Sequence, residues 1–112
     1  MDKVSKYQNI IVEYLTEWAN FGTPPPGLEH QVIVDRENNH FQWVTTGWLQ
    51  NKEFVYIIEL HLDIKGQKIW IWQNNSDAMV ADDLMERGVS KSDIVLAFHA
   101  PQDRALTGFA VA

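Results

Sequence analysis

Apolar residues recur every three or four positions at the start of the chain. These spacings place one apolar stripe along a helix, and Glu13 and Glu17 fall outside it. The stripe consists of Val4, Tyr7, Ile11, Tyr14, Leu15 and Trp18. The pattern predicts an amphipathic N-terminal helix from Asp2 to Asn20.

Three consecutive prolines, Pro24–Pro26, follow this helix. Each proline fixes φ and removes a backbone donor, so neither a helix nor a central strand can pass through them. The run is short and lacks flanking basic residues. This favours a stiff connector over a proline-rich ligand for an aromatic groove.

Four strand-like segments come next, and their joints are short and rich in Asn or Gly. Short joints connect antiparallel neighbours, because a parallel crossover needs about a dozen residues or more. The segments are Glu29–Arg36, His40–Trp48, Glu53–Lys65 and Lys68–Gln73. In the third segment every even position from Phe54 to Ile64 is apolar, which predicts a strand with one buried face. The segments together predict a four-stranded antiparallel meander.

A second helix is predicted from Ala78 to Arg87, with Asn74–Asp77 as its N-terminal cap. Gly88 suits the left-handed position after a helix, and Val89 suits the apolar position that often follows. Next, Ser90-Lys91-Ser92-Asp93 has the spacing of a capping box, with Asp in place of Glu or Gln, which predicts a single helical turn.

The C-terminal part of the chain is predicted to contain a short apolar strand, Ile94–Phe98, which ends before Pro101. The tail, Gln102–Ala112, is predicted as a short helix or turn. No repeat or change in composition divides the chain, so residues 1–112 are expected to form one domain. The predicted class is α+β, with an N-terminal helix, a four-stranded antiparallel meander, a second helix and a short C-terminal strand.

Composition narrows the classes of function. The chain has no Cys, which removes disulfides, thiolate nucleophiles and Cys-based zinc sites. The net charge is −6 and the nine Lys and Arg are scattered, so direct binding of nucleic acid is not expected. The N-terminus shows no signal-peptide pattern, and no apolar run approaches the roughly 20 residues of a membrane span. We therefore expect a cytoplasmic protein that does not bind membranes.

Acidic and histidine side chains alternate on the third strand. Glu59, His61 and Asp63 are expected to share a face, because residues two apart in a strand point the same way. Such a row can bind a metal or act as an acid–base pair, but one strand supplies convergent ligands poorly. A solvated or partner-facing strand surface is the favoured interpretation, and no metal is predicted.

His99 follows the last predicted strand, and Arg104 lies nearby in sequence. His99 can serve as a catalytic or ligand histidine, or it can cap backbone groups where the chain turns, and the second role is favoured. The chain has no Gly-x-Ser-x-Gly elbow, Walker A loop or Gly-x-Gly-x-x-Gly turn. The sequence therefore predicts no catalytic residue and no cofactor.

Aromatic residues are concentrated in the predicted sheet. In the fourth strand Ile69 and Ile71 point one way while Trp70 and Trp72 point the other, so both faces need cover. The helices can cover one face, and either the C-terminal tail or a second subunit must cover the other. Because Trp is favoured at interfaces, these rings and Trp43 predict a partner surface and allow a homodimer. A stacking platform for single-stranded nucleic acid is the least favoured reading because the chain is acidic.

Two long blocks carry a resemblance to a known family. One runs from His61 to Lys65 and continues through Lys68–Ile71, and the other runs from Gly88 to Pro101. Further matching residues are Lys6, Tyr7, Ile10, Ile11 and Tyr14 near the start, and Arg104, Thr107 and Phe109–Ala112 near the end. Over nearly its whole length the chain resembles the XisI family, the element-excision controlling factors of cyanobacteria.

The resemblance implies a role in controlling excision of a DNA element, alongside a partner called XisH and a separate recombinase. It supplies no established catalytic residues, so the function it predicts is that of a non-enzymatic adaptor that binds XisH. The predicted partner-binding residues are Trp43, His61, Asp63, Trp70, Trp72, His99 and Arg104. Two alternatives stay open. One is an acidic neutraliser of a nuclease-like partner, and the other is a small metal-dependent enzyme that uses Glu59, His61 and Asp63, or His99.

Overall fold

In the computed structural model, which describes residues 2–112, two helices pack on one face of a five-stranded sheet. The helices and strands are α1 (Lys3–Ala19), β1 (Leu28–Asp35), β2 (His40–Leu49), β3 (Glu53–Lys65), β4 (Lys68–Asn74), α2 (Val80–Glu86) and β5 (Ile94–Leu96). Two 3₁₀ turns, Lys91–Asp93 and Pro101–Leu106, flank β5. The predicted α+β class is confirmed.

Helix α1 begins at a side-chain cap and buries the stripe that the sequence predicts. The Asp2 carboxylate accepts a hydrogen bond of 2.7 Å from the Ser5 amide, which satisfies a donor that the first helical turn leaves free. The buried residues of α1 are Tyr7, Ile11, Tyr14, Leu15 and Ala19. Within residues 2–112 no helix has the length and apolar character to cross a membrane.

The sheet has the strand order β1-β2-β3-β4-β5. Strands β1 to β4 are antiparallel neighbours, as predicted, and their boundaries differ from the predicted ones by at most one residue. Gln50 and Asn51 have φ of 53° and 58° in the β2–β3 turn, a left-handed geometry that matches the twist of a hairpin. Strand β5 lies parallel to β4, because the α2 crossover returns the chain in the same direction.

One extra residue in β3 reverses the faces of this strand. Trp43 pairs with Leu60 but its neighbour Val44 pairs with Ile58, so Glu59 forms a β-bulge. Paired residues point to the same side and consecutive residues to opposite sides, so Leu60 and Ile58 lie on opposite faces. The prediction of one buried apolar face along the whole of β3 is therefore wrong. Leu60 is fully buried beneath the helices, whereas Tyr56, two positions before Ile58, is 65% exposed on the other side.

A second bulge lies between β3 and β4. His61 pairs with Gln73 and Leu62 pairs with Ile71, so Trp72 is the extra residue. The rings of Trp70 and Trp72 nevertheless stack, with centroids 5.8 Å apart. The prediction that these two rings share the face opposite Ile71 is confirmed.

The two ends of α2 differ in how well the sequence predicts them. Among residues 2–112 no side chain caps the N-terminus of α2, which lies at Met79, and Asn74 instead accepts hydrogen bonds from Ser76. At the C-terminus Gly88 has φ of 103° and the Val89 amide bonds to the Leu84 carbonyl at 3.0 Å, as predicted for a left-handed helix end.

After α2, the helical turn lacks the predicted side-chain cap and the strand is shorter than predicted. The helical turn at Lys91–Asp93 is present, but the Ser90 side chain makes no capping hydrogen bond. Strand β5 ends at Leu96 rather than Phe98, because the His99 amide bonds back to the Leu96 carbonyl and turns the chain. The tail forms the 3₁₀ turn Pro101–Leu106, in agreement with the prediction of a short helix or turn.

Two tyrosines anchor α1 to distant parts of the chain. The hydroxyl of Tyr7 donates to the Asp93 carboxylate and that of Tyr14 donates to the Asp83 carboxylate, each at 2.6 Å. Lys3 adds an ion pair of 2.8 Å to the buried Asp93. Burial opposes ionisation of Asp93, but the hydrogen bonds from Lys3 and Tyr7 outweigh it and lower the pKa of this carboxyl.

Substitution of this anchor should make stability less sensitive to acid. The pKa of Asp93 is lower in the folded chain than in the unfolded chain, so its stabilising contribution is complete above about pH 4. That contribution is lost as the pH falls through the folded pKa. We expect Asp93→Asn to lower the free energy of unfolding at neutral pH by about 1–3 kcal/mol. We also expect it to flatten the acid dependence, measured by urea unfolding with tryptophan fluorescence. Asp82→Asn, at an exposed position of α2, is the control, and an unchanged acid dependence in Asp93→Asn would contradict the assignment.

Candidate partner-binding surface

The sheet face opposite the helices, called here the open face, carries exposed aromatic rings. Trp48, Phe54 and Tyr56 form its aromatic patch, with exposures of 51%, 59% and 65%. The rings of Trp48 and Phe54 are in contact, with centroids 5.2 Å apart, and Tyr56 lies two residues further along β3. This patch was not predicted, because the alternation of β3 places all its even positions on one buried face.

Trp43 has a core position instead of the predicted partner-facing one. It is 6% exposed and its ring stacks on Trp18 of α1, with centroids 5.9 Å apart. The reason is its register, since Trp43 pairs with the helix-facing Leu60. A partner that docks on the open face does not reach this ring.

The C-terminal tail covers one end of the open face. Trp70 is 9% exposed and packs with Val95, Ala97 and Ala110. The sequence left open whether the C-terminal tail or a second subunit covers this face. Over Trp70 it is the tail. Trp72 remains 37% exposed at the border of this cluster.

Arg104 holds the tail in place. Its side chain is buried and donates to the carbonyls of Ala97 and His99, at 3.2 and 3.1 Å. The guanidinium also lies 5.3 Å from the centre of the Trp70 ring, within cation–π range. These contacts give Arg104 a structural role, so little of its side chain is accessible to a partner.

A second feature of the open face is a cluster of two histidines around one carboxylate. His40 Nδ1 and His61 Nε2 lie 2.8 and 2.9 Å from the same oxygen, Oδ1 of Asp63. His61 and Asp63 are together as the sequence predicts, and the hydrogen bond to Asp63 raises the pKa of His40. His40 was missed because only the strand register places it opposite Asp63.

Glu59 and His99, the other two candidate metal-binding residues, lie outside this cluster. Glu59 accepts a 2.8 Å hydrogen bond from Thr45, which also contacts His30. The predicted row of Glu59 with His61 and Asp63 is therefore wrong, because the bulge turns Glu59 to the helix-covered face. His99 is exposed beyond the end of β5, where its ring contacts Phe98.

A mixed sheet with helices on one face and an aromatic open face defines a small two-layer α+β protein. The family model described as XisI protein matches residues 1–111. The chain belongs to the XisI family, which confirms the resemblance found in the sequence.

Two solved structures from Anabaena variabilis ATCC 29413 are similar over almost their whole length. A XisI-like protein is 39% identical with a TM-score of 0.92, and the match covers 97% of this chain and 99% of that one. The fdxN element excision controlling factor XisI is 31% identical with a TM-score of 0.84, and the match covers 99% of this chain and 100% of that one. No curated protein matches the sequence.

Substitution of Arg104 should loosen the tail. A lysine keeps the charge but cannot span two carbonyls with a planar group, so Arg104→Lys should destabilise the tail by about 1–2 kcal/mol. We expect faster hydrogen exchange at the Ala110 amide, which bonds to the Ile94 carbonyl at 2.9 Å. The matched control is Arg36→Lys, at an exposed arginine. Equal exchange rates at the Ala110 amide in the two variants would contradict a structural role of Arg104.

Proposed function

We propose that this chain is a non-enzymatic controlling factor for excision of a DNA element, which acts in the cytoplasm through contact with an XisH-like protein. Membership of the XisI family supports the genetic role, and a structure with 31% identity is that of an fdxN element excision controlling factor. The chemistry of excision then belongs to a separate recombinase, and this chain regulates it by binding.

The aromatic patch is the observation that carries this proposal. Three large rings lie more than half exposed on consecutive strands of one sheet face. Water around such rings is released on binding, and Trp and Tyr supply much of the affinity at protein interfaces. The three rings offer apolar contact area, which suits docking of another protein, and none of them carries a nucleophile or an acid–base group suited to catalysis at neutral pH.

The charge of the chain indicates the chemistry of the partner. With a net charge of −6 this protein repels phosphates, and it attracts a basic protein surface. A nuclease-like partner that binds DNA has such a surface, so contact with this chain can also neutralise it. The partner that fits best has an apolar docking site with a basic rim.

The same patch can join two copies of this chain. A homodimer through Trp48, Phe54 and Tyr56 would bury the rings when the partner is absent. Partner binding and self-association then compete, because both use one surface.

Removal of the patch should abolish partner binding without unfolding the chain. The double variant Trp48→Ala/Tyr56→Ser should lose co-purification with a co-expressed XisH-like protein, since hot-spot aromatics contribute about 2 kcal/mol or more each. Phe21→Ala is the matched control, because Phe21 is 78% exposed but follows the C-terminus of α1, where its ring contacts Trp18. Light scattering of the same proteins tests the dimer. If the double variant still co-purified with the XisH-like protein, the partner would bind a surface other than the aromatic patch.

Direct DNA binding is expected to be absent. In a gel-shift assay with duplex DNA at physiological salt, the chain alone should cause no shift, because few of its cations can neutralise phosphates. The chain with its XisH-like partner is the comparison. Tight binding by the chain alone would contradict the adaptor role.

A further inference from the structure

We propose that His40, His61 and Asp63 bind one divalent transition-metal ion, of the Zn²⁺ type, on the open face. Among residues 2–112 these three side chains form a group whose ligand atoms all lie within 4.8 Å of one another. The inference rests on contacts within the chain, so it stands or falls independently of the proposed partner.

The geometry of the three side chains is close to that of a metal site. The two imidazole nitrogens lie 2.8 and 2.9 Å from the shared Asp63 oxygen. Bonds of about 2.0–2.1 Å in a tetrahedral zinc site put neighbouring ligand atoms roughly 3.3 Å apart. For an ion to enter, each imidazole must move about half an ångström away from the Asp63 oxygen. The two imidazole nitrogens, which lie within 4.8 Å of each other, must also turn toward the ion by rotation about their side-chain torsions.

The backbone holds the ligands in this arrangement. His40 and Asp63 are paired across β2 and β3, and His61 shares their face because it lies two residues before Asp63. Asp63 is 7% exposed, which restricts the orientation of its carboxylate. Ligands on paired strands are positioned more accurately than ligands on loops.

The donor atoms select the class of ion. Two imidazoles and one carboxylate suit Zn²⁺ and related transition metals, whereas Mg²⁺ and Ca²⁺ prefer oxygen ligands. The nearby Asp35 is not part of this group, and its two oxygens accept hydrogen bonds from Asn38 at 3.0 and 2.9 Å. The exposed side of His40 leaves at least one coordination position for water or for a side chain of another protein.

Calorimetric titration of the full chain without a polyhistidine tag tests the site. We expect one Zn²⁺ per chain, and we expect His61→Gln and Asp63→Asn each to weaken binding by about 10-fold or more, the scale at which even an outer-shell change acts. His99→Gln is the matched control, because His99 is exposed and outside the cluster. Circular dichroism of each variant shows that it is folded.

A second measurement uses the wild-type chain and so does not depend on how the variants fold. Addition of Zn²⁺ should shift the imidazole resonances of His40 and His61 in NMR spectra, while those of His30 and His99 stay in place. Addition of Mg²⁺ should shift none of them. The proposal is overturned if Zn²⁺ fails to bind, if it binds His99→Gln as weakly as His61→Gln, or if it perturbs all four histidines equally.

Discussion

The β-bulge at Glu59 is the constraint on which the two faces of this protein depend. On the turn side of the bulge Val44 pairs with Ile58. On the other side the register is shifted by one residue, so that His40 pairs with Asp63. Without the extra residue, His40 would lie opposite Leu62 rather than Asp63. The same insertion moves the apolar series of β3 from the helix side to the open side, so it decides which β3 side chains join the core and which join the aromatic patch.

The helix side of the sheet is closed by packing and polar anchors together. The apolar stripe of α1 covers β1 to β3, and the hydroxyls of Tyr7 and Tyr14 reach carboxylates more than 60 residues away in sequence. These bonds satisfy polar atoms at the edge of the core, and they tie α2 and the entry to β5 to one helix. Within residues 2–112 the open side has no α-helix and only the tail reaches it, which is why large rings remain exposed there.

The aromatic residues thus divide into three groups with separate roles. Trp43 belongs to the core beneath α1, and Trp70 is enclosed by the tail and Arg104. The aromatic patch lies at the other end of the open face, where nothing in the described chain covers it. Composition shows that the chain is rich in aromatic rings, but burial separates the rings that stabilise the fold from those that can contact a partner.

The sequence by itself determined the elements, since local spacing, turn residues and the left-handed Gly88 depend on neighbours in the chain. It also determined the family, because long blocks of residues carry that resemblance. Only the tertiary structure decided which face each residue of β3 occupies, that His40 joins His61 and Asp63, and that Trp43 and Arg104 are buried. Strand pairing and bulges depend on contacts between distant segments, and no local pattern around Glu59 predicts the inserted residue.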